Sequence, residues 1–248
     1  MSSSAIRVLS IAAFIILWAA LAWLNGDPTV LPAPGDLLRP FYRELASGVL
    51  LDSMGITIIR VIAAFLFAMT IGTVLGLIMG TQPQIDRWLD PWLVVFLNLP
   101  ALVLIVLCYL WIGLTEAAAI TAVTLNKIPN VTTIIREGAR ALDPDLKAMA
   151  QVFGMRRDTY LRHVILPQLA PFIAGASRSG IAVIWKIVLV VEFLGRSSGV
   201  GFQIHMYFQL FDVAMVLVYS LSFIAFMLAI EWIILQPLER RVRAWRMA

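Results

Sequence analysis

The chain has 248 residues, 61% hydrophobic and 14% charged, with a mean hydropathy of +0.90. Soluble domains carry roughly 25% charged residues, so a water-facing globular domain is excluded and a chain that crosses a bilayer several times is expected. The formal net charge of +4 does not point to nucleic acid, because the basic residues fall between hydrophobic spans instead of forming one patch.

A bilayer core about 30 Å thick needs roughly 20 apolar residues in a helix, and the sequence predicts helices over 6–24, 55–80, 87–112, 116–136, 168–194 and 213–236. The first has a rival reading. Arg7 precedes an apolar stretch and Ala20-Leu21-Ala22 loosely fits a signal cleavage site. The stretch from Val8 to Gly26 is nevertheless longer than the roughly 7–15 residues of a signal core, and it reads as a first span. The connection 25–54 contains Leu31-Pro32-Ala33-Pro34-Gly35-Asp36, a turn-rich segment. Leu37 to Leu51 then follow helical apolar spacing, which fits an interfacial helix serving as a surface strap or as a docking element.

In the second span Gly72, Gly76 and Gly80 recur every four residues on one face, where small residues let another helix approach, within the bundle or from a second copy. The third span holds Asn98 and Pro100, which either offer an amide and a backbone carbonyl to a substrate path or mark a kink. Asn126, Lys127 and Pro129 interrupt the fourth. The fifth carries Arg178, Lys186 and Glu192, and intramembrane charges are pathway candidates. Arg178 and Lys186 are about 80° apart around a helix, so two cations on one side suit an anionic substrate. The competing account is that Arg178 snorkels to the membrane edge and Lys186 pairs with Glu192 or Glu231.

Six spans put both ends on one side, and the Lys/Arg distribution selects it. With cytoplasmic termini, Arg7, Arg87, Arg136, Arg140, Lys147, Arg156, Arg157, Arg162, Arg240, Arg241, Arg243 and Arg246 lie inside, against Arg39, Arg43 and Arg196 outside.

The inside loop 137–167 contains DPDLKAMAQVFGMRRDTYLRHVILP, which reads as helix, turn, helix. Asp143 is a candidate N-cap, Pro144 suits the first helical position and Asp145 favours the positive helix end. Leu146, Met149, Ala150 and Phe153 make one apolar face. Gly154 supplies the left-handed stop, and Tyr160, Leu161, Val164 and Ile165 restore an apolar surface before Pro167. Such a helix lies on headgroups, covers the bundle ends or fits a partner's groove, and periodicity alone does not separate the three.

In this loop Ala150, Gly154, Val164, Leu166 and Pro167 stand at the spacing of a signature that runs Glu-Ala-Ala, three residues, Gly, nine residues, an aliphatic residue, any residue, Leu-Pro. Ala148 and Met149 replace its Glu and Ala. Leu31-Pro32-Ala33-Pro34, Leu89-Asp90-Pro91, Trp111-Ile112-Gly113, Glu192-Phe193-Leu194-Gly195 and Ser198-Gly199-Val200-Gly201 extend the likeness over nearly the whole chain. Through these residues the sequence resembles the membrane subunits of binding-protein-dependent ABC importers, in the nitrate, sulfonate and taurine branch. The resemblance implies an all-α polytopic permease of the type I importer kind, in a bacterial cytoplasmic membrane, working by alternating access on a small oxyanion. It implies that Ala148, Met149, Ala150, Phe153, Gly154, Met155, Arg156 and Arg157 form a coupling segment docked on a cytoplasmic ATPase dimer. It implies further a second permease copy, an extracytoplasmic substrate-binding protein and surrounding membrane lipid as partners. Asn98, Pro100, Arg178, Lys186 and Glu192 are then the candidate pathway residues.

No Gly-x-x-x-x-Gly-Lys-Ser/Thr loop precedes Lys127, Lys147 or Lys186, so ATP and magnesium are expected on a partner chain and no cofactor on this one. Catalytic and metal sites are not expected: His163 and His205 fall on opposite predicted sides of the membrane, and the single cysteine, Cys108, has no base near it in sequence. An ion-coupled secondary transporter is the alternative, but the loop around Gly154 has no counterpart in the first half of the chain, as an inverted repeat would require.

Overall fold

A computed structural model describes Ser3 to Leu235, and within these residues the chain is all helix. Arg240, Arg241, Arg243 and Arg246, and the last residue of the predicted helix 213–236, lie outside the described residues. The helices are α1 (Ser3–Asn25), α2 (Leu38–Ala46), α3 (Val49–Thr81), α4 (Pro83–Asn98), α5 (Ala101–Ile112), α6 (Glu116–Arg140), α7 (Pro144–Val152), α8 (Arg157–Tyr160), α9 (Leu166–Gly195), α10 (Val200–Gln209) and α11 (Val213–Ile230). A π turn at Leu161–Ile165 joins α8 to α9. It falls just before Pro167, which has no N–H to return to the carbonyl of residue 163.

Four helical stretches are long and apolar enough to cross a membrane: Val8–Asn25, Val49–Thr81, Arg157–Gly195 and Val213–Ile233. α4 and α5 together make a fifth if the pair, bent by 99°, counts as one broken span. The predicted helix 87–112 is therefore divided, because Leu99 and Pro100 adopt extended ψ values of 125° and 134° and Pro100 becomes the N-cap of α5. α6 has 25 residues, roughly 37 Å of helix, yet its composition is too polar for an apolar span. Thr124, Lys127 and Thr132 on it are buried inside the protein, where lipid does not set the composition.

The chain divides into two compact units. In one, made of residues up to Thr57 together with Glu192–Leu228, the connection after α1 is pinned at both ends. The Trp18 indole donates to the Pro32 carbonyl at 3.1 Å, and Asp36 accepts from the Ala33 amide at 2.9 Å. The Thr29 hydroxyl and amide donate to Asp27 and hold its carboxyl below the ordinary carboxylate range. α2 is fastened by Glu44, which is 8% exposed and accepts from the Tyr219 hydroxyl of α11 at 2.8 Å. A hydrogen bond to a charged group contributes about 1.5–3 kcal/mol.

In the other unit α3 lies directly on α6. A Cβ added at Gly72 would stand 2.7 Å from Val131 Cβ, one at Gly76 2.6 Å from the Thr132 carbonyl oxygen, and one at Gly80 2.5 Å from Ala139 Cβ. The glycine row thus packs within this chain, backbone on helix, as small-residue rows do in membranes. Behind it Val131, Ile135 and Ala139 of α6 meet Leu169 and Ala176 of α9 and Ile165 in a buried core.

Candidate functional site

The loop between α6 and α9 is built from local signals. Asp143 takes an extended conformation and its carboxylate accepts from the Asp145 amide at 2.8 Å, capping α7 with Pro144 in its first turn. Its own amide donates to Gln168 Oε1 at 2.9 Å, tying the start of the loop to α9. At the other end Gly154 has φ +59°, the Met155 amide donates to the Ala150 carbonyl at 2.9 Å and the Gly154 amide to Gln151 at 3.1 Å. That pair of bonds is a Schellman stop. No atom lies within 4 Å of a Cβ added at Gly154, so the requirement for glycine there is conformational.

The apolar face of α7 is divided in two. Ala150 is buried and Leu146 half-buried, whereas Met149, Val152 and Phe153 project outward, the last two 84% and 77% exposed. Ala148, Arg156 and Arg157 are also exposed, and Met155 is half-buried. Val152 was not among the residues singled out from sequence. Its position three beyond Met149 was the available signal. The result is an apolar knob at the tip of a capped helix, with Arg156 paired to exposed Asp158 at 3.5 Å beside it.

Just above the loop an ion network braces α4 against α6. Arg136 reaches Asp90 at 2.5 Å and Asp86 at 3.4 Å, while Arg140 reaches Asp86 at 2.5 Å and Glu137 at 3.0 Å. At the opposite end of α6 the Arg60 guanidinium, whose residue is 3% exposed, grips Glu116 through two bonds of 2.8 and 2.6 Å. Sequence reading passed over Arg60. A single arginine in an apolar helix gave no sign of a carboxylate 56 positions away.

The candidate pathway residues fall in different settings. Asn98 is exposed at the end of α4 and donates to the Val94 carbonyl at 2.8 Å; Pro100 is exposed at the break before α5. Arg178 and Lys186 are both exposed on α9, and Lys186 makes no ion pair among the described residues. No polar contact brings Asn98 and Lys186 together. Glu192 is fully buried and faces the loop that follows α9. Its carboxylate accepts from Thr57 Oγ1 and from the Gly201 amide, each at 2.9 Å, and Thr57 Oγ1 accepts in turn from the Val200 amide at 2.9 Å. The start of α10 is thus fastened to α3 through Glu192.

Lys127, one of the residues that interrupt the fourth predicted span, is 3% exposed and donates to Asn130 Oδ1 at 2.8 Å. Its stem fits against Gly180, where an added Cβ would stand 3.3 Å from Lys127 Cε. Among the described residues no three His, Cys, Asp or Glu side chains are placed to hold a metal ion.

The model of one protein family, the binding-protein-dependent transport system inner membrane component, matches residues 72–244. The chain belongs to that family. A Bacillus subtilis (strain 168) protein named as an aliphatic sulfonates transport permease, SsuC, is 30% identical over 194 residues, covering 78% of this permease and 70% of its own length. The taurine transport system permease protein TauC of Escherichia coli (strain K12) is 25% identical over 244 residues, 95% of this permease and 88% of its own chain. Among solved structures, one described as inward-facing conformations of the MetNI methionine ABC transporter superposes with a TM-score of 0.67 at 17% identity, over 81% of this permease and 98% of that chain. At that identity the likeness is one of fold. The permease is thus a membrane subunit of an ABC importer with the type I architecture, and the capped loop around Gly154 falls inside the matched region.

Proposed function

We propose that this permease moves a small oxyanion, such as a sulfonate, taurine or nitrate, inward by alternating access, driven by a cytoplasmic ATPase dimer on separate chains. The observation that carries the reading is the loop itself. An amphipathic helix fixed at both ends, with Met149, Val152 and Phe153 turned outward, has the form of a helix seated in a partner's groove. Ala148, Met149, Ala150, Phe153, Gly154, Met155, Arg156 and Arg157 form that docking segment. ATP and magnesium bind the ATPase, both termini face the cytoplasm, and an extracytoplasmic protein delivers the substrate.

A second copy of the chain completes the pathway. Arg178 and Lys186 support this part of the reading, since exposed cations on a span are costly against lipid and face protein or water instead. The substrate class rests on those two cations, on the exposed break at Asn98 and Pro100, and on the branch to which SsuC and TauC belong.

Mass spectrometry of everything that copurifies with the gently extracted, tagged chain tests the assembly. A stoichiometric ATPase with a Walker motif is the expected result. An intact preparation that brings down none overturns the docking assignment.

A further inference from the structure

We propose that the cleft between α1, α2 and α11 is a binding site for an anionic phospholipid, which lays an acyl chain along α11 and sets its phosphate beside Arg43. The cleft has a volume of about 260 Å³ and opens to the exterior. Its walls are Trp18 from α1, Leu37, Leu38 and Phe41 around α2, and Val218 and Ala225 from α11. Sites that enclose drug-sized ligands run to roughly 300–1,000 Å³, and a narrower, open, apolar trough suits a single hydrocarbon chain. Its polar side chains are two, the Trp18 indole, already spent on the Pro32 carbonyl, and the Ser222 hydroxyl. The rest of the lining is apolar, which favours a hydrocarbon chain over a polar ligand.

Position along the membrane gives the second half of the argument. From Val218 to Ala225 the wall follows α11 for roughly 10 Å, running from the start of the helix into its apolar interior. At the outer end of that run stands Arg43. Its Nη2 lies 3.8 Å from Met215 Sδ, one turn of α11 beyond Val218, and its Nε lies 3.6 Å from Glu44 Oε1. The side chain nevertheless stays 69% exposed. Glu44 Oε2 accepts from the Tyr219 hydroxyl and Oε1 pairs with Arg43 Nε, so it is the solvent-exposed Nη side of the guanidinium that meets the phosphate. Arg39, one turn earlier on α2, is exposed as well. An amphipathic helix lying in the headgroup layer with arginines on its polar side attracts anionic lipid. Here the helix also borders the apolar trough that runs along α11.

The full chain, purified with its partners and placed in nanodiscs of phosphatidylcholine with a minority of phosphatidylglycerol, is released into a native mass spectrometer and its retained lipids counted. Phosphatidylglycerol is expected to be retained above its bulk share. Arg43→Gln is expected to reduce the retained fraction roughly fivefold, as loss of one cation at an anionic surface does, and Arg43→Lys to restore it. Ala225→Phe fills the trough and is expected to abolish retention while assembly, checked by gel filtration, persists. A retained lipid mixture equal to the bulk, or one that neither Arg43→Gln nor Ala225→Phe changes, overturns the site. If Ala225→Phe separates two copies of the chain and leaves the lipid ratio untouched, the cleft is a contact between copies and the proposal is wrong.

Discussion

The carboxylate of Glu192 occupies the place where a side chain on Gly199 would begin. Gly199 has φ +102°, and a Cβ added there would fall on Glu192 Cδ and both carboxylate oxygens. The glycine and the glutamate are one device: the carboxylate reaches the Thr57 hydroxyl and the Gly201 amide only because position 199 has no side chain.

Gly199→Ala therefore carries two penalties, a backbone conformation that alanine resists and a collision with a buried carboxylate. Together these are expected to cost about 2–4 kcal/mol. Thermal unfolding of the detergent-extracted protein measures it, and an unchanged midpoint would show that the segment after α9 yields without loss.

Position 154 is the opposite case, since its glycine is required by φ +59° and not by space. Gly154→Asp is expected to leave the bundle inserted, with a loss of about 1 kcal/mol or somewhat more confined to the loop. Transport is expected to fall while ATP hydrolysis by the assembled complex continues. Phe153→Ser, which removes the apolar tip without touching the turn, is expected to weaken ATPase retention. Reconstituted vesicles assayed for both activities decide it, and wild-type transport by both variants would remove the loop from the coupling path.

Arg60 and Glu116 form a clamp with unequal members, one buried and one with half its side chain exposed. Removing one partner of a buried pair costs about 3–5 kcal/mol, and solvent at Glu116 reduces this, so Glu116→Ala is expected to cost about 2 kcal/mol. Replacing both, as Arg60→Met with Glu116→Leu, is expected to recover most of the loss. A double-mutant cycle on unfolding midpoints reads the coupling, and purely additive effects would mean that the pair contributes none.

Lys186→Met is expected to slow transport of an anionic substrate severalfold, about the effect of losing one charge-assisted hydrogen bond, while leaving the ATPase bound. An unchanged rate assigns Lys186 to a structural place on α9.

Legibility followed the range of the signals. The caps of α7 were readable because Asp143, Pro144 and Gly154 act on backbone within two to five residues, and each performs in the structure the role its chemistry suggests. The all-helical architecture was readable from apolar stretches. The division of 87–112 at Leu99 was harder, since apolar residues continue on both sides of Pro100 and hydropathy does not register a bend. Least readable were the long pairings. Thr57 and Glu192 are 135 positions apart, and Tyr219 and Glu44 are 175 apart. No spacing rule connects such residues, and a glutamate in a span looks the same from sequence whether it lines a path or fastens a turn.

The three glycines of α3 have a mechanical consequence. With no side chains at Gly72, Gly76 and Gly80, the backbone of α3 comes directly against the α6 atoms they meet. A side chain at any one of the three positions would have to drive α3 and α6 apart, so the spacing of the two helices is written into three residues that carry no side chain at all.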